Sequence, residues 1–457
     1  MKYPFLLILF LLALFLAACE PSLDEIRPDG GTSDFTRFVT LGDSYIAGYA
    51  DGELYRSGQV NSISNILASQ LQLVGAGTFK QPLMFDEYGF GKRKVLDYTY
   101  SCEGDSFLFP VTSSGVPNIG NFINISGQGP YQNIGVHGAK SFHLLSAAYG
   151  SPAQGNLYYI RFASEPGYST MVGDAIAQDP TFFLLGTGTY DVLRYAINGG
   201  TQDSITSVAH FRECMDEIAD SLTTGTAEGV ILNVPDVTKF PYFNTISTRI
   251  PYDGWVLSGE EALKMNQMYA HYEEILATMG FTWDYPFSFT PGANAYIIRD
   301  NDIPLPSPYN VRQMEAGDRF LLSLPADSLL CEGWCVPEEG DPNAIPQRYV
   351  LTASVTREVQ EAIDQYNAII GEVAQSHHLI LADIAGFFLS VENGVVYDGI
   401  HFDGTFISGG FYSLDGIQLS QRGNALAANF IISLLNQHYQ ASIPEVNPGD
   451  YQGIFYP

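Results

Sequence analysis

Phe38-Val39-Thr40-Leu41 runs straight into Gly42-Asp43-Ser44, and Tyr45-Ile46-Ala47-Gly48-Tyr49 follows. Strand-forming residues that end in a tight glycine turn leave a serine hydroxyl at the C-terminal edge of a parallel sheet, where open α/β folds place their ligands. On such a turn, with a helix behind it, Ser44 has the geometry of a nucleophile. The plainer reading is that Asp43 and Ser44 cap the next helix, a position both residue types favour. Residues 181–185, 229–235 and 379–383 are apolar runs of the kind found in strands buried on both faces. Residue 61–72, 211–222, 355–376 and 423–435 segments carry the helical period instead. This alternation argues an α/β chain built on a doubly wound parallel sheet. Two long stretches interrupt it. One covers about residues 75–130 and is rich in Gly, Pro, Ser and aromatics; the other covers about 240–350, with candidate strands at 294–298 and 320–324.

The N-terminus reads as an export signal. Met1-Lys2 precedes an apolar segment from Phe5 to Leu16 that is too short for a permanent membrane span. It ends in Leu16-Ala17-Ala18-Cys19, which resembles the bacterial lipobox and implies lipidation at Cys19. Residues 1–18 are then a signal peptide, 19–36 a Pro/Gly-containing tether, 37–440 the folded domain with its two insertions, and 441–457 a tail. The expected place is the cell envelope, lipid-anchored and delivered to the outer membrane. The formal net charge of −29 disfavours nucleic acid and anionic membrane surfaces as partners. Cys102, Cys214, Cys331 and Cys335 remain after Cys19, an even number suited to an oxidising compartment. Their pairing is open, and Cys331 with Cys335 can close a small loop. Nothing in the spacing calls for a metal or a cofactor.

Gly42-Asp43-Ser44, Gly138, Gly188-Thr189-Tyr190-Asp191 and Asp415-Gly416-Ile417-Gln418 fall in the order of the four blocks of the SGNH/GDSL hydrolase family, and the chain resembles that family. Val234-Pro235-Asp236-Val237-Thr238, Arg312-Gln313-Met314, Tyr349-Val350-Leu351-Thr352 and Phe411-Tyr412-Ser413-Leu414 further resemble a Bacteroidetes lipoprotein branch of it. The resemblance implies a flavodoxin-like, three-layer sheet and an ester hydrolase, an acyl or acetyl esterase or a lipase-like enzyme, that forms an acyl-enzyme on Ser44. Asp415 would orient the base, and the Ser44 and Gly138 N–H groups would meet the oxyanion.

Two positions depart from the family pattern. Tyr190 stands where the family has an asparagine that completes the oxyanion hole, and Gln418 stands where it has the histidine base. A glutamine has no titratable group, so activity is expected to be weak or lost. The alternative is a non-catalytic envelope lipoprotein that binds a small ester or glycan in the same cleft. Asp398-Gly399-Ile400-His401 repeats the Asp-x-x-His string and makes His401 a possible alternative base. The turn that follows it reads as a hairpin, whereas Gln418 is followed by the expected glycine and helix. His137 precedes Gly138 but has no neighbouring carboxylate in sequence, and His377-His378 lies at a helix end and reads as structural.

Overall fold

The computed structural model describes residues 27–457 apart from 103, 282–285, 326–328, 330, 332 and 338–340. The signal segment and Cys19 lie outside the described residues. In chain order the main elements are β1 (Phe38–Gly42), α1 (Ser44–Ala47), α2 (Ile63–Gln72), β2 (Asn133–Gly135), β3 (Phe182–Gly186), α3 (Thr189–Ala196), α4 (Val208–Leu222), β4 (Glu228–Leu232), α5 (Gly259–Thr278), α6 (Ala353–Ser376), β5 (Ile380–Ala382) and α7 (Gln421–Tyr439).

The five strands pair in parallel in the order β5-β4-β3-β1-β2. This is the flavodoxin-like order, in which the connection leaving β1 and the one leaving β3 run to opposite sides and open a crevice at the strand ends. Every residue of β1 and β3 is buried, as expected when helices cover both faces. α2 packs on α7, and α4 packs on α6. Those two helix pairs are the outer layers of a three-layer α/β fold.

Sequence sets the helix ends plainly. The side chains of Ser62, Ser207, Thr352 and Ser420 each accept a hydrogen bond from a first-turn N–H of α2, α4, α6 and α7. At the sheet edge Gly42 stands level with Gly135 on one side and Gly186 on the other. Its φ is +151°, and a Cβ there would lie 1.9 Å from the Gly186 carbonyl oxygen. Glycine at this point lets the chain leave the sheet and begin α1 against the neighbouring strand.

The segment 75–130 forms a hairpin, Lys94–Tyr100 against Ser106–Thr112. The 240–350 segment builds a second hydrophobic core around Met265, Tyr269, Leu276, Ile297 and Phe320. Strands there are short, Gly292–Asn294, Ile297–Arg299 and Arg319–Phe320, so the runs at 294–298 and 320–324 are strands only in part. Buried Arg312 braces this core, bonded to Asp300 and Asp318, each at 2.6 Å.

Cys102 and Cys331 form a disulfide that joins the two insertions. The small loop from Cys331 to Cys335 is therefore not closed. Cys335 is wholly buried in the second core, where its Sγ accepts from the Ile297 N–H at 3.2 Å. Cys214 is also buried and free.

Candidate active site

Asp43 caps α1 through its Oδ1, which accepts from the Tyr45 N–H at 3.1 Å, and Ser44 opens the helix. The Asp43 N–H bonds the Gly186 carbonyl at 2.9 Å, which ties the turn to β3. Ser44 thus stands at the β1/β3 switch point with its hydroxyl facing the turn after β2. Gly138 in that turn has a φ of +79° and open space where a Cβ would be, and its N–H donates to Ser44 Oγ at 3.3 Å.

The partner of Ser44 is the residue before that glycine. Ser44 Oγ lies 2.9 Å from His137 Nδ1, and the Tyr190 hydroxyl lies 3.3 Å from the same nitrogen. In the tautomer that carries its hydrogen on Nε2, Nδ1 can accept from either hydroxyl. The imidazole stacks on Tyr49, centroids 3.5 Å apart, and meets Tyr158 and Tyr190 edge-on. Asn156 holds the His137 carbonyl at 2.9 Å. Burial, reinforced by the charges of Arg194 and Lys92, pushes the imidazole down to about 3, so it is neutral at pH 7.

The Asp415–Gln418 loop reaches the same place from the other side. Tyr45 on α1 donates its hydroxyl hydrogen to the Ile417 carbonyl at 3.2 Å. Asp415 Oδ1 accepts from the N–H groups of Ile417 and Gln418, both at 2.8 Å, and Oδ2 accepts from the Gly52 N–H at 3.0 Å. Its carboxylate is spent on backbone and orients no imidazole. Gln418 is buried, its Nε2 donating to the Tyr190 hydroxyl at 3.4 Å and its Oε1 without a hydrogen-bond partner among the described residues. Burial raises the Tyr190 phenol far above its ordinary range, so it stays protonated. Asp43, also buried, is raised to about 7.

The structure therefore brings Ser44, Gly138, Tyr190, Asp415 and Gln418 together. All but Ser44, which lies wholly buried beneath, line a cleft of about 840 Å³ with His137, Tyr49, Tyr149, Lys94 and Arg194. His401 does not line it. It is exposed on the hairpin Val395–Tyr397/Ile400–Phe402 and bonds Asp403 at 3.2 Å. His377 lies against Thr223 at 3.0 Å, at the end of α6. Asp191 serves the scaffold, accepting from the Ser141 N–H and hydroxyl. Among the described residues no cluster of three or more His, Cys, Asp or Glu side chains could hold a metal ion. His137 is the site residue that sequence alone does not single out; its one local signal is its place beside Gly138.

No protein-family model matches the chain. No curated protein matches it either. Among solved structures it is similar to a lipase/acylhydrolase from Enterococcus faecalis, with 12% identity over 90% of this chain and 98% of that one and a TM-score of 0.33. It is also similar to LAE5, an alpha/beta hydrolase enzyme from the metagenome of Lake Arreo, Spain, with 10% identity over 88% and 96% of the two chains and a TM-score of 0.36. At these values the hydrogen-bonded strand order, not the overlap, defines the fold.

Proposed function

We propose that this chain is a slow serine ester hydrolase of the SGNH type, in which His137 rather than residue 418 takes the Ser44 proton. The observation that carries the reading is the 2.9 Å contact between Ser44 Oγ and His137 Nδ1. Ser44 Oγ attacks the ester carbonyl carbon while its proton passes to Nδ1. The carbonyl oxygen becomes an oxyanion, and the Gly138 N–H and Tyr190 hydroxyl, which at rest contact Ser44 Oγ and His137 Nδ1, would turn to it. As the carbon–oxygen bond to the alcohol breaks, His137 returns the proton to the leaving oxygen. Water then repeats the sequence on the acyl-serine and releases the acid.

Slowness follows from the base. An imidazole near 3 takes a proton uphill, and among the described residues no carboxylate hydrogen-bonds the ring. A labelling experiment with a fluorophosphonate, paired with p-nitrophenyl acetate turnover, tests the reading. Both signals should be present in the wild type and absent in Ser44→Ala. Turnover that survives Ser44→Ala, or no label on the wild type, overturns it.

Two observations favour a binding role instead. Ser44 has no exposed surface, and the Gln418 amide leaves a buried acceptor unpaired at the cleft wall. Anchoring at the envelope through a lipid on Cys19 belongs to the same proposal, supported by the Leu-Ala-Ala-Cys run. Cys19→Ala protein should leave the membrane fraction, and its retention there through a lipidated N-terminus overturns the anchor.

A further inference from the structure

The cleft has a charge that the rest of the chain does not. Of its ionised lining residues two are cationic, Lys94 and Arg194, and one is anionic, Asp415, in a protein whose formal charge is −29. Asp415 is engaged by three backbone N–H groups. Lys94 is half-buried, and among the described residues its ammonium has no hydrogen bond or ion pair. Arg194 forms an ion pair with Asp203, Nε to Oδ2 3.2 Å, but Asp203 is already matched by Lys140 at 2.7 Å. The terminal guanidinium nitrogens of Arg194 make no hydrogen bond among the described residues, and its charge is felt at His137, His143 and Tyr149. A positive island inside an acidic surface attracts anions.

The other lining residues say what kind of anion. They carry aromatic faces, Tyr149 stacked on His143 at 4.1 Å together with Tyr242, and the amide of Gln154. The aliphatic lining is Ala148, Leu193, Ile197 and Ile417, outnumbered by the aromatic rings. Flat aromatic faces and amides suit the C–H faces and hydroxyls of a sugar ring.

We propose that the cleft binds a carboxylate-bearing carbohydrate, a uronate-type glycan, with the carboxylate held by the Arg194 guanidinium and steered in by Lys94. Only the identity of the bond cleaved, an ester on that glycan, rests on the hydrolase reading. Guanidinium and carboxylate match as planar, bidentate partners.

The test is calorimetric titration of the wild-type chain with tri-galacturonate and, separately, with the neutral cellotriose; neither carries an ester, so binding is read apart from turnover. Tri-galacturonate should bind at least about tenfold more tightly, and the preference should weaken as salt rises. Arg194→Gln should abolish the preference, and Lys94→Gln, on a different element, should reduce it while leaving thermal stability unchanged. Equal binding of the two sugars, binding of neither, or a preference that survives both substitutions overturns the proposal. Binding of tri-galacturonate by a protein that fails the fluorophosphonate test would overturn the hydrolase reading alone.

Discussion

The turn after β2 and the hairpin at Val395–Phe402 each present an imidazole, and they differ in what surrounds it. His137 is packed between Tyr49, Tyr158 and Tyr190, touches Ser44 Oγ and, among the described residues, has no carboxylate partner. His401 is exposed and bonded to Asp403, but lines no part of the cleft. A catalytic histidine needs both reach and a counter-charge, and here each imidazole has one of the two. Reach decides which of them can act, because a proton moves over hydrogen-bond distance. Counter-charge decides how well it acts.

The largest way to break this contrast is to exchange the fates of the two rings. His137→Asn should lower p-nitrophenyl acetate turnover by about 10²-fold, the usual worth of a general base, while His401→Asn should leave kcat/KM unchanged. Loss of activity in His401→Asn with activity kept in His137→Asn would reverse the assignment. A smaller effect comes from restoring an imidazole beside Asp415. Gln418→His should raise turnover by about tenfold, with a new fall in rate below about pH 6.5, the ordinary imidazole range. No gain, with the fold intact, would mean that Tyr190 and its neighbours have closed the space a ring needs.

Stability offers a smaller effect. Asp43 titrates near 7 in the folded chain and near 3.8 when unfolded, so the folded state binds the proton more tightly. The stability this gives is complete below pH 3.8 and is lost as pH rises through 7. Asp43→Asn should therefore raise Tm by about 2–4 °C at pH 8 and show no such gain at pH 3.5. The smallest expected change is in the wild-type pH profile. With His137 neutral down to about 3, kcat/KM should stay level from pH 8 to pH 5. A fall centred near 6.5, the ordinary imidazole range, would show that the acting base is not the buried His137 ring.

How much was legible depended on whether the signal was local. The parallel strands announced themselves as apolar runs, and α4 and α6 began within three residues of the places their periodicity marked. The convergence of Ser44, Gly138, Tyr190 and Asp415 on one sheet edge followed from each standing where a strand ends or a helix begins. α5 was missed although Ser258 and Glu261 form a capping box at its start. Its apolar positions face the second core, a surface made only when residues far apart in sequence assemble. His137 was undervalued for the same reason. Its meaning lies in the Ser44 contact across 93 positions, and no window along the chain holds both residues.

The disulfide between Cys102 and Cys331 has a topological consequence. It encloses a covalent ring with a sequence separation of 229, and β2, β3, β4 and α5 all lie inside it. In the chain-entropy account, closing a loop of that size removes about 5 kcal/mol of freedom from the unfolded ensemble. A protease that cuts once inside the ring cannot release a fragment, since both halves stay joined through the two cysteines. Nicked molecules should migrate as one species on a non-reducing gel and separate into two only after a thiol is added. A protein that meets degradative enzymes outside the cytoplasm would gain a tolerance to single cuts that no packing interaction supplies.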